Sequence, residues 1–174
     1  DGLGRALRVR CVNDGAPWIW NLVADRWSQA EQVLDFYHGS QHLHALGAAL
    51  HGEGTAATSA WVIPRRKRLR RGNAAKLLKE LGGMEPPAGE AGAAVRREQN
   101  YLAQHAARMN YRELARNGPI GSSSVESACR QRQCRFKRAG QFWSEAGQRH
   151  LCALQEARRN EHWEELWNPA TQPR

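Results

Sequence analysis

The residues best suited to chemistry in this chain are carboxylates placed where regular structure turns. Asp14 follows the run Leu7 to Asn13, in which apolar and polar residues alternate and Val occupies two positions, the pattern of a strand. Asp14-Gly15 ends that run. A carboxylate at the C-terminal end of a strand is exposed and rigidly aimed, and open α/β sheets collect ligands and catalytic groups there. The plainer alternative is that Asp14 caps the next helix. Asp35 and His38 close a second short run, Gln32 to Phe36. If the two runs are sheet neighbours, Asp35 ends near Asp14, and a carboxylate beside an imidazole can tune a metal site or orient a water. Alternatively, Asp35 caps the helix that begins there and His38 packs against it. His38 and His42 are four apart on one helix face and could bind zinc, without a convincing third ligand. Glu126 stands in Pro-Ile-Gly-Ser-Ser-Ser-Val-Glu, where a Gly-Ser approach lets backbone come close to a neighbour. It could serve as a metal ligand or as the partner of Ser123 in a capping box.

The elements that must position these groups can be read from periodicity. Pro17 suits the first turn of a helix carrying Trp18, Ile19, Leu22, Val23 and Trp27 on a core-facing stripe. His38 to Leu50 also reads as helix, with Leu43, Leu46 and Leu50 on one face. Strand, helix, strand, helix over the first fifty residues predicts an α/β sheet with a crossover helix. Pro64 to Arg71 is a dense basic run; Ala74 to Leu81 is a short helical patch. The Gly/Pro/Ala-rich stretch Gly82 to Ala94 reads as a flexible connection. Arg96 to Arg116 is helical until Asn117-Gly118-Pro119 stops it. A helix follows from the serines to about Arg138, broken at Ala139-Gly140, and a last one covers Ser144 to Asn160. The tail, Asn168 to Arg174, reads as frayed.

Composition narrows the partner. The net charge is +9 and the mean hydropathy -0.73. Neutralising phosphates releases condensed counterions, so nucleic acid is the default partner of such a surface; a basic protein with no specific ligand is the alternative. The cationic candidates are Arg65, Arg66, Lys67 and Arg68, and beyond Glu126 the residues Arg130, Arg135, Lys137 and Arg138. No apolar run is long enough to span a membrane, and the start of the chain has no signal-peptide pattern. Cys11, Cys129, Cys134 and Cys152 match no zinc spacing and read as buried free thiols.

Three segments together carry a resemblance. Asn13-Asp14-Gly15-Ala16-Pro17-Trp18-Ile19-Trp20-Asn21 looks like the second-aspartate motif of insertion-sequence DDE transposases of the ISKra-type group. Asp35-Phe36-Tyr37-His38 with Gln41-His42-Leu43 resembles that group's Asp-x-x-His element, and Ile120-Gly121-Ser122 through Cys129 its catalytic-glutamate motif. The pattern continues through Arg138 to Ser144, Gly147-Gln148, Leu151 to Leu154 and the Trp163, Leu166, Trp167 ending. The motifs stand in the family's order. Ser123-Ser124 and Gln131 to Gln133 depart from it.

The resemblance implies a partial ribonuclease H-like fold, its last two sheet strands and C-terminal helices, with a mainly helical insertion. Residues 1–51 and 118–160 would form the catalytic part, 52–117 a basic helical insertion that clamps DNA, and 161–174 a tail. Asp14 and Glu126 would bind two Mg²⁺ (or Mn²⁺) ions, with Asp35 and His38 accessory. Such ions, about 3.5–4 Å apart, serve in-line displacement at phosphorus. The family's first catalytic aspartate lies on an earlier strand, and Asp1 is too near Asp14 to occupy one. The expectation is therefore a transposase fragment whose strand cleavage is slow or absent by itself. Its partners would be DNA, as terminal inverted repeats and target, and further copies of the chain. It would be cytoplasmic and nucleoid-associated, with no membrane contact. A non-catalytic basic DNA-binding module is the alternative.

Overall fold

The computed structural model describes residues 5–72 and 74–168. Asp1 and the tail expectation beyond Asn168 lie outside the described residues. Among those described the protein is mixed α/β and mostly helical, with two parallel strands and eight α-helices. It forms two compact units, Asp1–Ser122 and Ser123–Arg174. No helix among the described residues is long and apolar enough to cross a membrane.

The first unit opens with β1 (Arg10–Asn13), α1 (Pro17–Arg26) and β2 (Glu31–Leu34). The strands pair in parallel, from Arg10 opposite Glu31 to Asn13 opposite Leu34. Parallel partners need a crossover between them, and α1 supplies it. Pro17 is its first residue, as expected; Ala16 precedes it with no side-chain cap. Both strands are shorter than their apolar alternation predicts. Pairing stops at Arg10 because β2 begins only at Glu31, whose N–H reaches back to the Val9 carbonyl, and Leu7 is left fully exposed. At the other end, Phe36 belongs to the next helix, because Asp35 caps that helix and turns the chain out of the sheet.

That helix, α2 (Phe36–His51), packs against α3 (Ala56–Arg70) and α5 (Gly89–Gln104), and α4 (Ala74–Gly82) packs on α3 and α5. A 3₁₀ turn at Ala106–Arg108 and α6 (Tyr111–Leu114) complete the group. Leu34, Leu43, Leu46, Leu69, Leu77, Leu81, Leu102, Met109 and Tyr111 form its core. Strands and later helices therefore share one apolar interior. The basic run belongs to α3, with Pro64 inside the helix. The stretch read as a flexible connection is helical from Gly89 onward, because Gly92 and Val95 are buried on α5.

The second unit holds α7 (Ser123–Phe136) and α8 (Glu145–Arg159). The last helix starts close to where it was expected, with Ser144 as its cap accepting from the Gly147 N–H. Phe136 is buried, edge-on to Trp143 at 5.6 Å, and the Trp143 indole N–H donates to the Phe136 carbonyl at 3.1 Å. Arg132 pairs with Glu156 between the two helices. All four cysteines are free, but Cys129 and Cys134 are exposed and Cys11 and Cys152 only half-buried. This corrects the expectation of buried thiols. For Cys129 and Cys134 the cause is that α7 is exposed along most of its length.

Candidate functional site

The parallel register brings the ends of β1 and β2 side by side, so Asp14 and Asp35 each follow a strand on the same edge of the sheet. Their environments differ. Asp14 is exposed. Its Oδ1 accepts the Ala16 N–H at 3.1 Å, and its carbonyl accepts the Tyr101 hydroxyl at 2.9 Å. Just before it, the buried Asn13 side chain accepts the Gly15 N–H at 2.8 Å. Gly15 takes a left-handed φ of 96°, and a Cβ there would collide with the Tyr101 hydroxyl. The backbone of Asp14 is thus held from both sides while its carboxylate stays open to solvent. It does not occupy the N-cap of α1.

Asp35 is buried, 3% exposed. Its Oδ1 accepts the N–H groups of Tyr37 (2.6 Å) and His38 (2.9 Å), the N-cap of α2. Its Oδ2 accepts the N–H (2.5 Å) and the hydroxyl (2.7 Å) of Ser122. The Ile120 carbonyl accepts the Phe36 N–H at 2.8 Å alongside. Burial pushes the Asp35 carboxyl up, and its hydrogen bonds to His38, Ser122 and Tyr37 together outweigh that, holding it below its ordinary value. Gly121 is required by the close approach, since a Cβ would lie 2.9 Å from the Tyr37 ring. Asp35 therefore works as a joint between the Asp-x-x-His segment and Ile120-Gly121-Ser122. Arg10 fastens the same segment from β1, its guanidinium donating to the Leu114 carbonyl (2.7 Å) and the Pro119 carbonyl (3.3 Å) and to Glu31 (2.7 Å).

His38 and His42 face one another on α2, with Nε2 atoms 3.3 Å apart. His42 Nδ1 meets Glu98 Oε2 at 2.6 Å, and its ring stacks on Tyr101 with centroids 3.5 Å apart. His105, buried, lies 4.6 Å from the Tyr101 ring. Burial, then the neighbouring Arg108, His42 and His38, lower the His105 pKa. Burial and the nearby charges of Asp14 and Glu98 push the Tyr101 phenol up to about 12, so its hydroxyl remains a donor. Glu98, Tyr101 and His105 were not singled out from the sequence. Their spacing of three and four along α5 was the available signal, hidden because Tyr101 reads as part of an apolar stripe.

The cationic residues divide. Arg65 and Arg68 are both committed to Glu80 on α4, at 3.2 and 2.7 Å, and Arg65 also stacks over Trp61. Lys67 instead lines an open cavity of about 730 Å³ together with Arg70, Arg71 and Arg112. Arg66, with Arg70, lies over the Phe36 ring. Of these, Arg70, Arg71 and Arg112 were not among the expected contacts. In the second unit Glu126 is exposed in the first turn of α7, and Arg130, Arg135, Lys137 and Arg138 are exposed along and just beyond that helix. Arg135 and Arg138 line a cavity of about 540 Å³ with Gln131, Gln141, Trp143 and Gln155.

The donor chemistry of Asp14 fits a hard, hydrated ion such as Mg²⁺, which takes one or two carboxylates and keeps several waters. Asp35 fits it less well, because both of its oxygens are already used. Compared with protein-family models, with curated proteins and with solved structures, the chain matches none.

Proposed function

We propose that this chain contributes to metal-dependent DNA strand transfer, as part of a DDE-type transposase with a partial ribonuclease H-like fold. The observation that carries the reading is Asp14. It is an exposed carboxylate on a fixed backbone at the C-terminal end of a strand, in the segment that resembles the family's second-aspartate motif. Parallel β1 and β2 with α1 between them suit the last two strands of such a fold. Ile120-Gly121-Ser122, the opening of the segment that resembles the glutamate motif, lies against Asp35, which supports the same reading.

In this account Asp14 and Glu126 are the metal-holding carboxylates, and Asp35 is a positioning residue for the Ser122 approach. His38 continues α2 from that cap. The chemistry that Mg²⁺ supplies when bound is activation of an attacking oxygen and stabilisation of the leaving one at phosphorus. The chain's own cations hold the phosphodiester backbone and carry no sequence information in doing so.

A specific observation favours a second reading, a non-catalytic DNA-binding module: the cavity lined by Lys67, Arg70, Arg71 and Arg112 needs no carboxylate to hold phosphates. The two readings separate in the double variant Asp14→Asn, Glu126→Gln, assayed for duplex binding with and without Mg²⁺. Strand transfer predicts that Mg²⁺ strengthens binding of the original chain by several-fold and leaves the variant unaffected. An equal Mg²⁺ response in both proteins would favour the module.

A further inference from the structure

The pair formed by His38 and His42 brings two imidazole nitrogens together on one face of α2. His42 Nδ1 lies 2.6 Å from Glu98 Oε2, the short distance of a charge-assisted bond. An ionised carboxylate only accepts, so His42 Nδ1 carries a proton, and in the neutral ring its Nε2 presents a lone pair. His38 Nδ1 lies 3.2 Å from Gln41 Oε1, a carbonyl-type oxygen that also only accepts. In the tautomer with the proton on Nδ1, His38 Nε2 presents a lone pair as well. The two Nε2 atoms point together at 3.3 Å. That separation suits a hydrogen bond through one shared proton, and it equally suits a cation held by both nitrogens.

We infer that His38 and His42 form a two-imidazole site for a borderline divalent transition-metal ion, with Zn²⁺ the best fit. Zinc–nitrogen bonds of about 2.0–2.1 Å at a tetrahedral angle place two ligand nitrogens about 3.3 Å apart, which is the separation found here. An i, i+4 pair on a helix reaches this geometry without backbone rearrangement. The surroundings match what such ligands require. Glu98, only 4% exposed, holds the Nδ1 of His42, the carboxylate–histidine–metal arrangement that fixes tautomer and ring orientation. Arg97 in turn donates to the other Glu98 oxygen at 3.0 Å. Tyr101 braces the face of the His42 ring. The His42 side chain retains 25% exposure, enough for an ion to enter from solvent. No group of three His, Cys, Asp or Glu side chains suited to a metal occurs among the described residues. The remaining coordination positions would be filled by water or by an incoming anionic ligand.

This site is separate from the carboxylate site in chemistry. Imidazole suits Zn²⁺, Cu²⁺ and Ni²⁺, whereas Mg²⁺ prefers oxygen. The test is calorimetric titration of the full chain with ZnCl₂ in a non-coordinating buffer. Alongside it, long-range ¹H–¹⁵N spectra of the histidine rings report which nitrogens carry protons. The expected result is one Zn²⁺ bound with both Nε2 atoms unprotonated and shifted on loading, and no response of these rings to MgCl₂. Affinity should fall at least 10-fold in His38→Asn and in His42→Gln, and by about 10- to 100-fold in Glu98→Gln, where both ligands remain. Circular dichroism checks that each variant keeps its helices. Zinc binding undiminished in the His38 and His42 variants, or ring signals of that pair that ignore Zn²⁺, would overturn the assignment.

Discussion

Replacing Asp35 by Ala is expected to destabilise the protein by about 2–4 kcal/mol, the largest single-site effect away from the apolar core. Two losses add. The Tyr37 and His38 N–H groups lose the cap of α2, worth about 1 kcal/mol. The Ser122 N–H and hydroxyl lose their acceptor, and a buried donor left unmade costs about 1–3 kcal/mol. Asp35→Asn should cost less, because an amide oxygen still caps the helix, yet its NH₂ group would face the Ser122 donors. Urea denaturation followed by far-UV circular dichroism measures both. The pH dependence carries the sign. The folded-state pKa of Asp35 is lowered, so the unfolded chain binds the proton more readily. The stabilisation is complete above the ordinary carboxylate value and is lost as pH falls through the folded one. The acid side of the stability profile should therefore flatten in Asp35→Asn. An Asp35→Ala protein with wild-type stability would mean that the joint to Ser122 contributes nothing.

The second large effect concerns DNA. Neutralising Lys67, Arg70, Arg71 and Arg112 together, as Gln, should lower the slope of log affinity against log salt by about 3–4. Between 0.05 and 0.2 M salt this removes about 10²-fold of the affinity change. The matched control is Arg65→Gln with Arg68→Gln. Both of those side chains are already paired with Glu80, and their replacement should change the slope by less than about 1. Fluorescence anisotropy on a duplex across a salt series separates the two outcomes. A larger change in the control than in the quadruple variant would move the interface to the other side of α3.

How far the sequence discloses these arrangements depends on which residues carry the signal. Strand-helix-strand was legible because Leu7, Val9 and Cys11 alternate with Arg8 and Arg10, and because Pro17 marks a helix start. The α3 helix was not. Its buried seam is Thr58, Val62 and Leu69, with Arg65 between them covering the core with its stem while its head meets Glu80. Only two of those four residues are apolar, and Pro64 reads as a breaker. The cost of its missing N–H, about 3 kcal/mol, is offset by tertiary packing rather than by anything local. For the same reason the division of the basic run into paired and unpaired arginines was invisible, since Glu80 comes from another helix. At the site, Asp35 was correctly weighed as a possible cap, but its second partner, Ser122, lies far along the chain. Glu98 and Tyr101 reach His42 only through the packing of α5 on α2. Local spacing cannot announce a contact that tertiary structure creates.

The most direct test of the central claim is a Mg²⁺ titration of ¹⁵N-labelled protein followed through the backbone amides. The account predicts saturable shifts at Asp14, Gly15 and Ala16, lost in Asp14→Asn while the rest of the spectrum is preserved. Amides around Asp14 that stay unmoved through saturating Mg²⁺, or that shift equally in Asp14→Asn, would contradict it.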